Sequence, residues 1–292
     1  MNWMKYRLVY FAISLLVLIP GICSLLIFGL RPAIDFTGGT LLEVKIAADQ
    51  PPITESVESA VQAASPDLSS LQQTSQESWL FRFKQLNDEQ KAGVKTELAG
   101  FGEVEELRFE TVGPTLGQEL LRKTLLALVL AAGFILYYVA TRFKDKMYGV
   151  CAILAMFHDS LILLGVFSLL GHFYQVEVDT LFVTAVLTIL SFSVHDTVVV
   201  YDRIRELTRI NPKTAFVNLV NQAVTETLTR SINNSMTIIF MLLALYLLGG
   251  QTTRWFVFAL LIGTISGTYS STFTAAPLLV VWKKLESKKK DK

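Results

Sequence analysis

The stretch TLFVTAVLTILSFSVHDTVVVY, from Thr180 to Tyr201, decides the fold because it is long and apolar and yet carries an aspartate. A helix that crosses a bilayer needs about 20 mostly apolar residues, since every backbone N–H and C=O must be paired inside the hydrocarbon. The stretch meets that length, and His195 and Asp196 lie inside it. It therefore predicts a membrane-spanning helix with a titratable pair.

Five further stretches meet the same criterion. They cover residues 8–30, 123–141, 147–170, 231–249 and 255–282. The composition agrees, because 52% of the 292 residues are hydrophobic and 17% are charged, against about 25% charged in soluble domains. The first stretch resembles a signal peptide, but it is longer than the usual apolar core and no small-x-small cleavage site follows, so we interpret it as a retained anchor.

The segment between the first two spans, residues 31–120, is polar and acidic. It holds seven Lys and Arg against fifteen Asp and Glu, a net charge of −8, whereas the rest of the chain carries +9. Its patterns predict a strand, a helix, two strands, a helix and a strand. The segments are GTLLEVKIA from Gly39, ITESVESAVQAA, SSLQQTS, SWLFRFKQL, a helix capped by Asn87 that ends at Gly100 and Gly102, and VEELRFETV. That order is typical of a ferredoxin-like unit.

The basic residues of the short connections predict the orientation. They all fall on one side of the six predicted spans, and they are Lys5, Arg7, Arg142, Lys144, Lys146, Arg203, Arg205, Arg209, Lys213 and the lysines from Lys283 onward. Short basic loops stay in the cytoplasm. Both termini are therefore expected to be cytoplasmic, with residues 31–120 outside the cell membrane.

These patterns predict the fold class, a membrane-embedded all-α bundle of six helices with an inserted α+β, ferredoxin-like extracytoplasmic domain. The predicted divisions are the first helix in residues 1–30, the outside domain in 31–120, helices two to six in 121–282 and a basic cytoplasmic tail in 283–292.

Ionisable side chains inside the spans mark the candidate functional site. Burying one costs about 2.5–3.5 kcal/mol on insertion scales, so each is treated as functional by default. Asp159 lies in the third span, Asp196 in the fourth beside His195, and Arg230 opens the fifth. We hypothesise that Asp196 cycles between protonated and charged states as part of a proton relay, for which Asp196→Asn is the test.

A stripe of polar residues accompanies these ionisable groups. It consists of Ser191, Ser193, Ser231, Asn233, Asn234, Ser235 and Thr237. Their hydroxyl and amide groups can pair with the ionisable side chains or hold water. The alternative interpretation is a helix-locking ion pair between Asp196 and Arg230. For His158, a hydrogen-bonded core histidine is the favoured interpretation.

Other patterns favour packing or solubility over chemistry. Gly263 and Gly267, with Ser266 and Ser270, have the small-xxx-small spacing of helix contacts. The lysine-rich tail is a topology signal, with contact to anionic lipid as a lesser option. The sequence contains no Walker A motif, nucleophile elbow or metal-spaced Cys/His set, so neither a cofactor nor a metal is predicted.

Four segments of the chain resemble the signature segments of the SecF members of the SecD/SecF family of bacterial protein-export proteins. They are IDFTGGT (Ile34–Thr40), VGPTLGQEL (Val112–Leu120), FSVHDTVVVYDRIRE (Phe192–Glu206) and RSINNSMT (Arg230–Thr237). Their order and the six-span plan are also similar, so the resemblance covers nearly the whole chain. It implies a bundle of the type found in one half of the resistance-nodulation-division superfamily.

The resemblance also implies a function. Such a subunit is not an enzyme and works with SecD and the SecYEG channel in the cytoplasmic membrane, using the proton-motive force to help export preproteins. Asp196 matches the family's essential intramembrane carboxylate, Arg230 its important arginine, and Asp159 an acidic position in the third span. The expected partners are therefore SecD, SecYEG, the preprotein and membrane lipid, and no nucleic acid.

The quoted segments also imply positions outside the spans. The hinge or motif residues are Asp35, Gly38, Gly39, Gly113 and Gly117. A glycine pair at Gly38 and Gly39 suits a tight turn or hinge where the first span enters the outside domain.

Two departures and two alternatives accompany the resemblance. The family usually has Asn before the key aspartate and Thr second after Ser-Ile-Asn, where this chain has His195 and Asn234 with Ser235 following. His195 either adds a group that titrates near neutral pH or replaces the amide as a hydrogen-bonding group, and the second is favoured. The alternative functions are a small-solute efflux transporter and a structural scaffold, and sodium is the alternative coupling ion.

Overall fold

A computed structural model describes residues 2–48, 52–143 and 145–290. The chain divides into two compact units, Met1–Arg31 with Leu126–Lys292, and Pro32–Leu125. The first unit is helical and begins with a 3₁₀ turn, Trp3–Tyr6, that leads into α1, Arg7–Ile27. The second unit contains a β-sheet. The apolar frame and the acidic insert of the sequence thus lie in different units.

The second unit contains the predicted strands and helices in their predicted order. A short helix comes first, and the elements are α2 Ile34–Thr37, β1 Gly39–Ala47, α3 Thr54–Ala64, β2 Leu68–Gln73, β3 Ser78–Phe83, α4 Asp88–Ala99 and β4 Glu103–Val112. The sheet is antiparallel with the strand order β2-β3-β1-β4. The weakly patterned segment SSLQQTS falls mostly in β2, which is an edge strand.

One face of this sheet is buried against α3 and α4. Alternating apolar residues of β1 and β3 meet apolar residues of the two helices, and the buried set includes Leu42, Val44, Ile46, Trp79, Phe81, Phe83, Val57, Val61, Val94 and Leu98. Asn87 caps α4 as predicted. Its side chain accepts a hydrogen bond from the Gln90 N–H at 2.7 Å, and the Gln90 side chain accepts one from the Asn87 N–H at 3.0 Å.

The remaining helices lie in the first unit, except for the start of α5, which belongs to the second unit as far as Leu125. They are α5 Pro114–Arg142, α6 Lys146–Tyr174, α7 Thr180–Ile210, α8 Phe216–Leu248, α9 Gln251–Ser270, a π-helical turn Ser271–Ala275 and α10 Ala276–Lys290. Within the described ranges, six helical segments are long and apolar enough to cross a membrane, when α9 to α10 is counted as one. The predicted number of spans is therefore found.

Several helices extend beyond the predicted apolar stretches. α8 begins at Phe216 rather than at residue 231, and α7 continues to Ile210 rather than ending at 201. Hydropathy marks the part of a helix that suits lipid, whereas polar residues outside the hydrocarbon can continue the same helix. Arg230, predicted to open the fifth span, therefore lies near the middle of α8.

The bundle is organised around α6, α7 and the segment from α9 to α10. In their most apolar windows 56%, 44% and 50% of the residues are buried, against 6% in α5, so α5 lies at the edge of the described bundle. α1 packs closely on α6, since a Cβ on Gly165 would come within 2.5 Å of the Gly21 Cα. Gly263 and Gly267 of α9 face side chains of α7 in the same way. The predicted packing use of that glycine pair is confirmed.

Candidate functional site

Asp159 is the centre of a buried hydrogen-bond network in the bundle. It lies near the middle of α6, and its side chain is 1% exposed. Three serine hydroxyls donate to its carboxylate. Ser266 Oγ lies 2.6 Å from Oδ1, while Ser193 Oγ and Ser270 Oγ lie 2.6 and 2.5 Å from Oδ2. The network therefore joins α6 to α7 and α9.

A fourth contact to Asp159 comes from the neighbouring residue. His158 Nδ1 lies 3.0 Å from Asp159 Oδ1. Each carboxylate oxygen thus has two donors, which uses the four acceptor sites of an ionised carboxylate. Inside a bilayer such a fully satisfied acceptor is a strong link between helices.

One of the four donors has another acceptor within reach. Ser270 Oγ lies 3.3 Å from the backbone carbonyl of Gly267 as well as 2.5 Å from Asp159 Oδ2. If Ser270 donates to that carbonyl, its oxygen is free to accept a hydrogen bond from a protonated Asp159. The network can therefore accommodate a protonated carboxyl without leaving a polar atom unpaired.

Asp196 has a sparser environment than Asp159. It is 5% exposed and lies near the middle of α7. Ser231 Oγ of α8 donates to its Oδ2 at 2.8 Å, and among the described residues no other hydrogen bond to this carboxylate is found. A carboxylate with one donor loses little when it is protonated, since a neutral carboxyl still accepts that hydrogen bond.

The two carboxylates are connected through α7. Ser193, which donates to Asp159, precedes Asp196 by three residues, so both lie on one face of the helix. The two carboxylate sites therefore share α7.

The structure does not pair Asp196 with Arg230. No ion pair or hydrogen bond between them is found in the part of the chain that the structure describes. Arg230 is exposed and lines an open groove near the end of α7. The lining residues are Val199, Asp202, Arg203, Glu206, Glu226, Thr227 and Arg230. The predicted locking ion pair is thus wrong for this single chain, because Ser231, one residue further along α8, faces Asp196.

The polar stripe divides into two faces. Ser193, Ser231 and Ser235 are buried, and Ser235 accepts a hydrogen bond from Thr268 Oγ1 of α9 at 2.6 Å. The other predicted members, Ser191, Asn233, Asn234 and Thr237, are exposed. The predicted stripe therefore does not converge on one site. Its outward members follow from helical spacing, since Asn233, Asn234 and Thr237 lie three, four and seven residues after the exposed Arg230.

His195 also points away from Asp159 and the bundle interior. It is exposed and lies in a shallow cleft lined by α5 and α7. The lining residues are Phe134, Ile135, Tyr138, Ser191, Val194, His195 and Val198. Among the described residues no hydrogen bond joins His195 to Asp196.

Three residues of the network were assigned to packing from the sequence. His158 was interpreted as a core histidine, and Ser266 and Ser270 as small residues of a helix contact. Their spacing carried a usable signal, because two serines four residues apart on one helix present both hydroxyls to the same side. An acidic residue in another span is the natural acceptor for such a pair.

The glycines of the two outside motifs meet within the second unit. Gly38 has φ +73° and Gly39 has φ +128°, conformations that favour glycine. A Cβ on Gly117 would lie 2.8 Å from the Gly38 nitrogen, so the start of α5 packs directly on the glycine pair. Asp35 lies one turn earlier, in α2. The two motifs thus form one packing site, which explains why both require glycine.

Gly117→Ala is expected to destabilise this packing site. The added methyl group would overlap the backbone at Gly38 and Phe36, and overpacking of this kind typically costs about 1–3 kcal/mol. Thermal unfolding of the full chain in detergent measures the loss. Gly113→Ala is the matched control, because a Cβ at Gly113 meets nothing within 4 Å. Equal unfolding temperatures for the two variants would contradict the close approach.

The described residues contain no group of three His, Cys, Asp or Glu side chains placed to hold a metal ion. The chemistry that the site offers is therefore that of two carboxylates, one histidine and hydroxyl groups. These groups can take up, hold and release a proton.

Comparisons with known proteins identify relatives over nearly the whole chain. A family model described as protein export membrane protein SecD/SecF, C-terminal, matches residues 93–285, and one described as the SecD/SecF GG motif matches residues 24–49. The protein translocase subunit SecF of Thermobaculum terrenum is 44% identical over 95% of this chain and 92% of its own length. That of Anaerolinea thermophila is 42% identical over 97% and 94%.

A solved structure has a similar architecture. The crystal structure of SecDF from Thermus thermophilus, described as a translocon-associated membrane protein, matches 97% of this chain with a TM-score of 0.84 and 33% identity. This chain spans 39% of that SecDF chain. The match and the six apolar helices support a multi-pass membrane protein.

Proposed function

The chain belongs to the SecD/SecF family of protein-export membrane proteins, as a SecF-type member, and from this premise we propose that it couples the proton-motive force to preprotein export. It acts as an auxiliary, non-enzymatic subunit of the Sec translocase. The observation that carries the proposal is the pair of buried carboxylates, Asp159 with four hydrogen-bond contacts and Asp196 with one.

The unequal environments of the carboxylates assign their roles. Asp196 exchanges the proton, since its carboxylate has a single hydrogen bond, from Ser231, which a neutral carboxyl can still accept. Asp159 holds its helices together and responds to the charge of Asp196 through α7. A proton that crosses 100 mV releases about 2.3 kcal/mol, which biases a two-state equilibrium roughly fiftyfold.

SecD is the proposed partner within the membrane. An exposed polar face on α8, comprising Arg230, Asn233, Asn234 and Thr237, lies mid-helix, where lipid would leave its polar groups unpaired. A second helical subunit would cover this face and supply partners to it. The relatives named SecDF, which are longer than this chain, support the same assignment. Membrane lipid contacts the remaining apolar surface.

The proposed topology places the sheet-containing unit outside the cytoplasmic membrane and both termini in the cytoplasm. The basic connections support this orientation. We interpret the unit as a ferredoxin-like domain, from its element order and its strand order. Outside the membrane, this domain contacts the emerging preprotein next to the SecYEG channel. Protonation changes the packing of the spans, and this change moves the domain through α1 and α5, to which it is connected.

Preprotein export into sealed vesicles that contain this chain, SecD and SecYEG tests the proposal. The vesicles are energised with a proton gradient, a sodium gradient or neither, and the exported preprotein is quantified by its protection from added protease. We expect the proton gradient to increase export by more than about tenfold. Stimulation by the sodium gradient alone would show that sodium, not the proton, is the coupling ion. Stimulation by neither gradient would leave a scaffold as the function.

A further inference from the structure

His158 belongs to a second chain of hydrogen bonds, which leads away from Asp159 to the first span. Its Nδ1 faces Asp159, and its Nε2 lies 3.0 Å from Ser14 Oγ of α1. Ser14 Oγ in turn lies 3.3 Å from Thr274 Oγ1 in the π-helical turn. All four side chains are buried. We propose that His158 is a proton-carrying link that transmits the protonation state of the buried carboxylates to α1.

These hydrogen bonds can switch because their donors and acceptors can exchange roles. An ionised Asp159 only accepts, so His158 Nδ1 carries a hydrogen and donates to it. In neutral His158 the other nitrogen, Nε2, is an acceptor, and Ser14 must donate to it. When one proton is added to the His158–Asp159 pair at Nε2, the Nδ1 hydrogen either stays on the ring or passes to the carboxylate, and in both forms Nε2 donates and Ser14 must accept. Proton uptake therefore reverses the Ser14 hydrogen bond to His158 and turns the Ser14 O–H toward its other hydroxyl neighbours, Thr274 and Tyr269.

The helices that these hydrogen bonds connect are placed to respond to a change of protonation. α1 is followed directly in sequence by the unit with the glycine pair and the sheet, so a change at Ser14 acts on the helix that leads to that unit. Thr274 lies in a π-helical turn between α9 and α10, and such turns in α-helices are frequent at functional sites. The hydrogen bonds thus join α6 to α1 and to the π-helical turn, both of which can respond.

The other titratable groups near His158 are few. Asp159 lies on its own helix, Asp196 on α7 next to His195, Tyr269 on α9 and Tyr10 on α1. The Tyr269 ring lies 6.4 Å from the His158 ring, and its hydroxyl donates to the Tyr10 carbonyl. In the described ranges no lysine or arginine forms an ion pair with any of these groups.

This inference rests on the proposed function, and its test uses the same vesicles, with the proton gradient imposed at a series of pH values. Ser14→Ala removes the hydroxyl between His158 and Thr274, so we expect gradient-stimulated export to fall roughly tenfold, as for loss of a hydrogen bond to a charged group. Ser14→Thr keeps the hydroxyl and should retain most of the stimulation. His158→Gln keeps hydrogen-bonding groups at this position but cannot take up a proton, so the pH profile of export should change.

Ser24→Ala is the matched control. Ser24 is also a buried serine of α1, and its hydroxyl lies 2.8 Å from Ser168 Oγ of α6, but that pair contains no titratable group. Its loss should lower export by no more than about threefold, the usual effect of one hydrogen bond between membrane helices. Ser14→Ala matching Ser24→Ala, together with an unchanged pH profile for His158→Gln, would overturn the inference.

Asp196→Asn in the same assay separates this inference from the proposed function. If Asp196→Asn keeps full stimulation, the proposed function itself fails. If Asp196→Asn loses stimulation while Ser14→Ala keeps it and the His158→Gln profile is unchanged, only the His158 link fails. Variants whose amounts in the membrane differ are compared per molecule, and the His158→Gln profile does not depend on the amount, since it is read as a shape.

Discussion

Asp196→Asn is expected to abolish the stimulation of preprotein export by a proton gradient, a loss of more than about tenfold. Asparagine has nearly the shape of aspartate, and its side-chain oxygen can still accept the 2.8 Å hydrogen bond from Ser231. It cannot take up or release a proton. The variant should therefore fold and accumulate normally, and export should become independent of the gradient.

Asp202→Asn is the matched control for this prediction. Asp202 lies on the same helix, six residues further along, but it is partly exposed and forms ion pairs with Arg142 and Arg205. Exposed ion pairs contribute about 0–1 kcal/mol, so this variant should retain gradient stimulation. Export is quantified in the sealed vesicles with and without a protonophore. Protonophore-sensitive export by the Asp196→Asn variant would remove Asp196 from the coupling step.

Asp159→Ala should have the largest effect on the stability of the bundle. The change leaves Ser193, Ser266, Ser270 and His158 without their shared acceptor. Hydrogen bonds between membrane helices average about 0.6 kcal/mol each, and those to charged groups reach about 1.5–3 kcal/mol. We expect a loss on the order of 3 kcal/mol or more, seen as a lower unfolding temperature in detergent.

Ser168→Ala is the control that shows how much the loss of one hydrogen bond lowers the unfolding temperature. Ser168 lies on the same helix as Asp159 and has one hydroxyl partner, Ser24, at 2.8 Å. Its removal should lower the unfolding temperature much less, because a single hydrogen bond between uncharged groups is lost. Asp159→Asn should fall between the two, since one oxygen acceptor is kept. Equal unfolding temperatures for Asp159→Ala and Ser168→Ala would show that the network contributes little to stability.

Hydropathy predicted the spans because a membrane imposes one dominant requirement on the chain. Paired backbone groups and apolar side chains over about 20 residues leave a strong signal in the sequence. The alternation in β1 and β3, and the Asn87 cap of α4, were readable for a similar reason, since each depends on neighbouring residues. The end of α7 and the start of α8 could not be predicted in this way, because both helices continue outside the hydrocarbon, where the residues need not be apolar.

The pairing of side chains within the bundle could not be predicted in the same way. Which residue of α8 meets Asp196 depends on the rotation of that helix, and a shift of one residue, about 100° around the helix, separates Ser231 from Arg230. The same rotation directs Asn233, Asn234 and Thr237 outward. Asp159 was recognised as an intramembrane acid, but the serines around it come from two other helices, whose arrangement the sequence does not display.

The contact between the two glycine motifs could not be predicted from the sequence either. Ile34–Thr40 and Val112–Leu120 are far apart in sequence, and each was interpreted as a separate feature. In the structure Gly117 approaches the backbone at Gly38, so the two segments constrain each other. A contact that depends on the absence of a side chain leaves only the glycine itself as a sequence signal.

We propose that Asp196 carries protons down their gradient across the membrane while a preprotein is exported, and proton loss from the vesicle lumen during export tests this most directly. Vesicles that contain this chain, SecD and SecYEG are loaded with a pH-sensitive dye and given an acidic lumen, because the lumen that receives the preprotein corresponds to the outside of the cell. We predict export-dependent loss of protons from the lumen with the native chain and none with Asp196→Asn. Loss of the same size with both chains, or export without it, would contradict the account.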